Sequence, residues 1–212
     1  MWRAAAYTPR MYVYDMALAG TVIGDTREIA RGLRDRDVAL LQMLVEEYQD
    51  RLVRYLVYVT GRRDDVDDLV QETWLRVMER GRSYDGRSRF EPWLFTVARH
   101  LAIDALRRRR EVSLDAEADG RAVVEAPVGW ASGRPGLSPF ALAARTEDAE
   151  RLAGALEGLQ PIYREALVLR FLEDMSLQEV AEVVGSPVAT VAARIYRGLA
   201  TLRSQMEEKH ES

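Results

Sequence analysis

Apolar residues recur at three- and four-residue spacing over most of the chain, the period that gathers them on one face of an α-helix. Leu41, Leu44, Val45, Tyr48, Leu52, Tyr55, Leu56 and Val59 form a first stripe, closed by Gly61. Val66, Leu69, Val70, Thr73, Trp74, Val77 and Met78 form a second, closed by Gly81, a residue suited to the turn that ends a helix. After a loop from Ser83 to Arg89, a third helix is predicted from about Pro92. It buries Trp93, Leu94, Val97, Ala98, Leu101 and Leu106 and runs out in the basic block Arg107 to Arg110. From Glu111 to about Leu142 no period is sustained, and Pro127, Gly129, Gly133, Pro135, Gly136 and Pro139 punctuate a mostly acidic stretch. A connection of that length far exceeds the usual few residues, which predicts a flexible acidic linker between two domains.

Beyond the linker, Leu152, Leu156 and Leu159 open a new helical set that Ile162, Ala166, Leu169 and Leu172 continue past Pro161. Ser176 with Glu179 three residues on has the spacing of a capping box and opens a helix from Leu177 to Val184. Gly185 ends it, and a last helix runs from Pro187 to about Met206. Strand-like alternation and internal repeats are absent from the sequence, so the expected fold class is all-α, two small helical domains. The expected boundaries are an N-terminal extension at 1–35, a first domain at 36–112, the linker at 113–146, a second domain at 147–206 and a tail at 207–212.

Composition narrows the function classes. The 212 residues carry 30 Lys+Arg against 34 Asp+Glu, a net charge of −4, which excludes a uniformly basic nucleic-acid coat protein. The absence of cysteine excludes disulfides, thiolate metal sites and thiol nucleophiles within the chain. No stretch approaches the roughly 20 apolar residues that span a bilayer, and Asp15 interrupts the one N-terminal run, Met11 to Ile23, that could imitate a secretion signal. The expectation is a cytoplasmic protein without membrane insertion.

The charge is segregated. Asp64, Asp65, Asp67, Asp68 and Glu72 fall together with no basic residue, whereas residues 89–110 hold six Arg against Glu91 and Asp104. Three readings of the acidic block compete. Acids in a first helical turn favour the macrodipole and cap free N–H groups. The string also spells the D-D-x-x-D of magnesium-dependent isoprenoid enzymes, but the second acidic cluster such chemistry needs is not visible. A docking surface for a basic partner is the third, with charge setting on-rate and register. Downstream, Tyr84, Phe90, Trp93 and Phe95 interleave with Arg87, Arg89 and Arg99, a pattern suited to stacking unpaired bases while guanidinium groups follow phosphates; core burial of Phe90 and Trp93 is the plain alternative.

In the second domain, Ala181 lies four residues before Gly185 and Val191 six after it, the spacing of a helix-turn-helix. A small residue lets the helices approach, glycine permits the left-handed turn, and Val180, Val184, Val188, Val191 and Ile195 fill the shared core. Such a unit offers the start of its second helix to the DNA major groove, although an ordinary helical hairpin meets the same spacing. Ser186, Thr190, Arg194 and Arg197 can reach phosphates or base edges; Ala189, Ala192 and Ala193 cannot read a base by hydrogen bonding.

The runs from Asp64 to Val77, Tyr84 to Phe90, Trp93 to Phe95 and Ala98 to Arg108 resemble domain 2 of bacterial RNA polymerase sigma factors of the extracytoplasmic-function (ECF) class. Leu159 to Pro161, Tyr163-Arg164, Leu167 to Phe171 and Ser176 to Leu202 resemble domain 4 of the same class. The resemblance implies that 36–112 docks on core RNA polymerase, on the β′ clamp helices, through Asp64, Asp65, Asp67, Asp68, Leu69, Gln71, Glu72 and Trp74. It implies that Tyr84, Arg87, Ser88, Arg89, Phe90, Trp93, Arg99, His100, Arg107 and Arg108 recognise and melt the −10 element and hold its non-template strand. It assigns −35 recognition to Arg170, Ser186, Pro187, Ala189, Thr190, Ala193, Arg194 and Arg197 in 147–206, with the β flap as a further polymerase contact. An anti-sigma factor is an implied partner; no cofactor, metal or catalysis of its own is implied.

Departures from the family pattern shift the expectations. Ala192-Ala193 stands where the family commonly has Lys then Ser, and Gly198-Leu199-Ala200 replaces a usually basic stretch, which moves specificity toward DNA shape or the −10 region. His100 replaces a more frequent Asn. Two other functions remain: a free-standing helix-turn-helix regulator, which leaves the acidic block unexplained, and the magnesium-dependent enzyme.

Overall fold

The computed structural model describes residues 25–118, 152 and 154–208; the Pro- and Gly-rich part of the expected linker and the tail beyond Glu208 lie outside them. Among the described residues every regular element is helical.

Helix α1, Thr26–Asp35, falls in the stretch expected to be an extension. Asp25 caps it by accepting from the Arg27 N–H, and Ile29, Ala30 and Leu33 are buried. Its three apolar residues lie among charged neighbours, too short a stripe to stand out by period. Helix α2, Val38–Thr60, starts at Asp37, whose carboxylate accepts from the Ala39 and Leu40 N–H groups, and ends at Gly61 in the left-handed region, φ 70°. Helix α3 is Val66–Arg80.

Gly81 does not end α3 by a left-handed turn. It is right-handed and begins a short 3₁₀ turn, Gly81–Ser83, and a Cβ there would stand 2.9 Å from the Cβ of Leu33. Glycine is needed at 81 for the approach of α1. Helix α4, Phe90–Ala118, starts two residues before Pro92 and runs past the basic block, so residues 113–118 are helix rather than linker.

Leu44, Leu52, Tyr55, Leu56, Val77, Leu94, Phe95 and Ala98 are fully enclosed where α2, α3 and α4 meet. Each such side chain contributes about 1.5–3 kcal/mol by leaving water. Met78 and Leu106, both expected in the core, are 43% and 38% exposed. Leu106 lies one turn beyond Ala102, the last buried residue of α4 among those whose burial is described, and Met78 lines an open cleft with Leu33, Val38, Leu41 and Leu75.

In the second domain, residues 154–157 are helical, α5 spans Pro161–Leu167 and passes into a π turn, Val168–Leu172, and α6, Leu177–Val184, precedes α7, Val188–Glu208. The capping box forms in both directions: Ser176 Oγ accepts from Glu179 N–H, and the Glu179 carboxylate accepts from Ser176 N–H. Gly185 has φ 62°. Ala181, Val180, Val184, Val191 and Ile195 are buried between α6 and α7, as the spacing requires, whereas Val188 and Ile162 are partly exposed. Arg164 occupies this core: its guanidinium donates to the carbonyls of Leu156, Glu157 and Leu159, which close the preceding helical turn, and to Tyr58 of α2. Burial draws its pKa down to about 10.

The two domains touch. Helix α5 packs on α2, and α6 packs on α4.

Candidate nucleic-acid interface

Three surfaces carry the residues singled out by sequence. The first is the outer side of α3. Asp67, Asp68 and Gln71 are exposed, Asp64 pairs with Arg62 at 2.8 Å, and Glu72 pairs with Arg76 at 2.9 Å. Asp65 holds the N-cap position, yet its carboxylate makes no cap hydrogen bond and instead pairs with Arg109 of α4. Capping therefore does not account for the block; macrodipole stabilisation by Asp67 and Asp68 is compatible with their exposure. Leu69 and Trp74 point inward and support this surface from beneath, and the Trp74 indole N–H is buried without a hydrogen-bond partner. Leu75, exposed one turn on from Gln71 and beside Met78, was missed because it interrupts the polar face only once. Among the described residues no three His, Asp or Glu side chains converge as a metal site.

The second surface is the 84–89 loop with α4. Tyr84 and Phe90 are buried, their rings 5.4 Å apart, and Phe95 is enclosed against Tyr55, so these three form core rather than a stacking platform. Only Trp93, tilted against both Tyr84 and Phe90, is half-buried. The Tyr84 hydroxyl donates to the Ser88 carbonyl at 2.6 Å, and burial pushes its pKa up to about 12. Asp85 accepts from the Arg87 N–H, and Gly86 turns with φ 72° while its carbonyl accepts from the Thr26 hydroxyl at 2.7 Å. This frame projects Arg87 and Ser88 outward; Arg87 is the most solvated residue of the group. Arg27 and Arg34 of α1 line an open polar cleft with Arg87, and sequence reasoning missed them because α1 itself was missed. Arg89 pairs with Glu91, whose burial alone would raise its pKa but whose own backbone N–H and Arg89 outweigh that and lower it. Arg99 is half-buried, His100 and Arg108 are exposed, and Arg107 pairs with Asp104 and Glu111.

The third surface is the start of α7. The Pro187 carbonyl accepts from the Thr190 and Val191 N–H groups, and Pro187, Ala189, Thr190, Ala193 and Arg197 are exposed, with Ser186 and Arg194 half-buried. Tyr196, 77% exposed on the same helix, was missed because at core spacing it reads as an apolar position. Arg170 donates to the Met175 carbonyl at 2.8 Å, which ties down the turn leading into α6.

These surfaces have counterparts elsewhere. The Sigma-70 region 2 family model matches residues 44–112, and the Sigma-70, region 4 model matches residues 149–202. The chain is 29% identical over 169 residues to the ECF RNA polymerase sigma factor SigX of Bacillus subtilis, covering 78% of this chain and 83% of that one. It is 30% identical over 175 residues to the RNA polymerase sigma factor CarQ of Myxococcus xanthus, covering 82% and 94%. The solved complex of the sigma factor RpoE with the anti-sigma factor NepR from Bartonella quintana matches with a TM-score of 0.60 at 23% identity, covering 82% and 98%; at that identity it speaks for the fold alone.

Proposed function

This chain belongs to the ECF class of RNA polymerase sigma factors and directs promoter-specific transcription initiation, and from that premise we propose how its surfaces divide the work. The exposed acids of α3, Asp67 and Asp68 above all, dock on the β′ clamp helices of core polymerase, with Gln71 and Glu72 extending the patch. Leu69 and Trp74 set its shape from below. The Arg87-Ser88 tip, Arg99 and His100 hold the non-template strand of the −10 element, with Arg107 and Arg108 following the phosphates. Stacking on that strand falls to Trp93, since Tyr84 and Phe90 are enclosed.

The start of α7 enters the major groove of the −35 element. Thr190, Arg194 and Arg197 supply mostly phosphate contacts, and the exposed alanines leave little direct base readout. The second domain also meets the β flap. The chain catalyses nothing itself; nucleotide addition belongs to the polymerase, and the protein works where the polymerase is, in the cytoplasm. An anti-sigma factor is its regulatory partner, as NepR is for its structural neighbour.

The observation that carries this division is the separation, on one rigid frame, of a solvent-facing acidic helix face from a solvent-facing Arg-bearing loop. Run-off transcription with purified core polymerase on a genomic promoter pool tests it. Discrete promoter-dependent transcripts are expected, and a mixture that yields only end-initiated or no RNA overturns it.

A further inference from the structure

Four basic residues of the first domain are neutralised by the second. Arg51 Nε and Arg54 Nη2 of α2 hold the two oxygens of Glu173 at 2.7 and 2.9 Å, and the Glu173 side chain is wholly enclosed. Arg99 Nε of α4 lies 2.8 Å from Glu165, which also accepts from the Tyr55 hydroxyl at 3.0 Å. Arg89 Nη1 donates to the Asp174 carbonyl at 3.4 Å and stands 3.6 Å from Glu179 of α6.

The partners are 66 to 122 residues apart in sequence, so the contacts exist only while the domains are together. Glu173 in particular lacks a structural duty inside its own domain that any printed contact reveals; both its oxygens face α2. A buried carboxylate without countercharge is costly, yet in a separated domain Glu173 would be hydrated. The arrangement is satisfied closed and satisfied open, which is the requirement for a two-state element.

We propose that these carboxylates form an intramolecular latch: Glu165, Glu173 and Glu179 stand in for DNA phosphates against the basic face of the first domain and hold the free protein in a closed, promoter-incompetent form. The proposal rests on the assignment of Arg89 and Arg99 to the −10 strand made above. Length makes the closed form incompetent. Elements centred at −35 and −10 are about 25 base pairs apart, about 85 Å of B-form duplex at about 3.4 Å per pair. A closed body of this size is on the order of 40 Å across. With Arg89 against α6, the helix just before α7, the two reading surfaces are side by side and cannot span that distance.

The absence of cysteine gives a clean test. Dyes are attached at Arg63→Cys and Ser204→Cys, both exposed and on different domains, and energy transfer is followed in the free full-length protein. Glu165→Gln with Glu173→Gln leaves three guanidinium groups at the interface without countercharge, and breaking buried pairs of this kind shifts a closed-to-open equilibrium about 100-fold. The expected result is high transfer in the parent, low transfer in the double variant with unchanged helical circular dichroism, and tighter binding of a deoxythymidine oligomer by the variant. Arg54→Gln, which breaks the latch from the other domain, is expected to lower transfer in the same direction. Low transfer in the parent, or parental transfer in both variants, overturns the latch. Lower transfer with unchanged oligomer affinity keeps the latch and removes Arg89 and Arg99 from the DNA-binding set.

Discussion

Two glycines with left-handed backbones sit in the two DNA-facing turns, and they tolerate change differently. A Cβ at Gly185 meets nothing within 4 Å, so Gly185→Ala carries only the cost of a non-glycine residue at positive φ, about 1–2 kcal/mol. A Cβ at Gly86 would stand 2.8 Å from the Thr26 carbonyl oxygen and 2.9 Å from the Ala30 Cβ. Gly86→Ala therefore adds displacement of α1 to the same backbone strain. Urea unfolding is expected to show a larger loss for Gly86→Ala than for Gly185→Ala, and run-off transcription a larger drop, because the displaced loop carries Arg87. Equal losses would mean that α1 does not brace the loop. Gly185 was legible from its place in the helix-turn-helix spacing; Gly86 was read only as a loop residue, because the neighbour that makes it indispensable lies 60 positions away.

Among the elements, α3 shows how a periodic stripe sorts a block of like charge. The same 3.6-residue period that buries Val66, Leu69, Val70, Thr73, Trp74 and Val77 leaves Asp67, Asp68 and Gln71 in solvent. Asp67→Lys with Asp68→Lys should abolish capture by core polymerase in a pull-down, while circular dichroism shows the helices intact. A first-turn macrodipole contribution of about 0.3–1 kcal/mol per acid is too small to unfold the domain. Retained capture would return the block to a purely helix-stabilising role. Helix α1 is the contrary case: its own sequence gives three apolar residues, and its place is decided by Gly81 and Gly86, which open the space that α1 fills. Helix α4 likewise outruns its apolar stripe, since Glu111 to Ala118 continue the helix after its burial against the core has ended.

At the scale of the molecule, the domain contact is polar and depends on protons at known atoms. Tyr55 donates to Glu165 across it, and burial first, then the Glu165 charge, raise its pKa well above the ordinary value of 10.0. Tyr48 and Tyr84 are raised by burial as well, Tyr84 to about 12. Unfolded tyrosines lose their protons near pH 10, so between that pH and the folded values the native state holds more protons. The stabilisation is complete below about pH 10 and is lost as pH rises through the folded values. Urea midpoints should fall from pH 9.5 to pH 11.5 (about the span between unfolded and folded values), and Tyr55→Phe should flatten part of that slope. A slope unchanged by Tyr55→Phe would detach this hydroxyl from the linkage.

The chain by itself determined the helices with long stripes, the capping box at Ser176, the turns at Gly61 and Gly185 and the helix-turn-helix core, because each depends on residues a few positions apart. The separation of acidic and basic surfaces was also written in order along the chain. Only the tertiary structure decided that Tyr84 and Phe90 are core, that α1 belongs to the first domain, and that Glu165 and Glu173 answer Arg51, Arg54 and Arg99. Those outcomes turn on which surfaces meet across 50 to 120 residues of chain, and local periodicity carries no information about that distance.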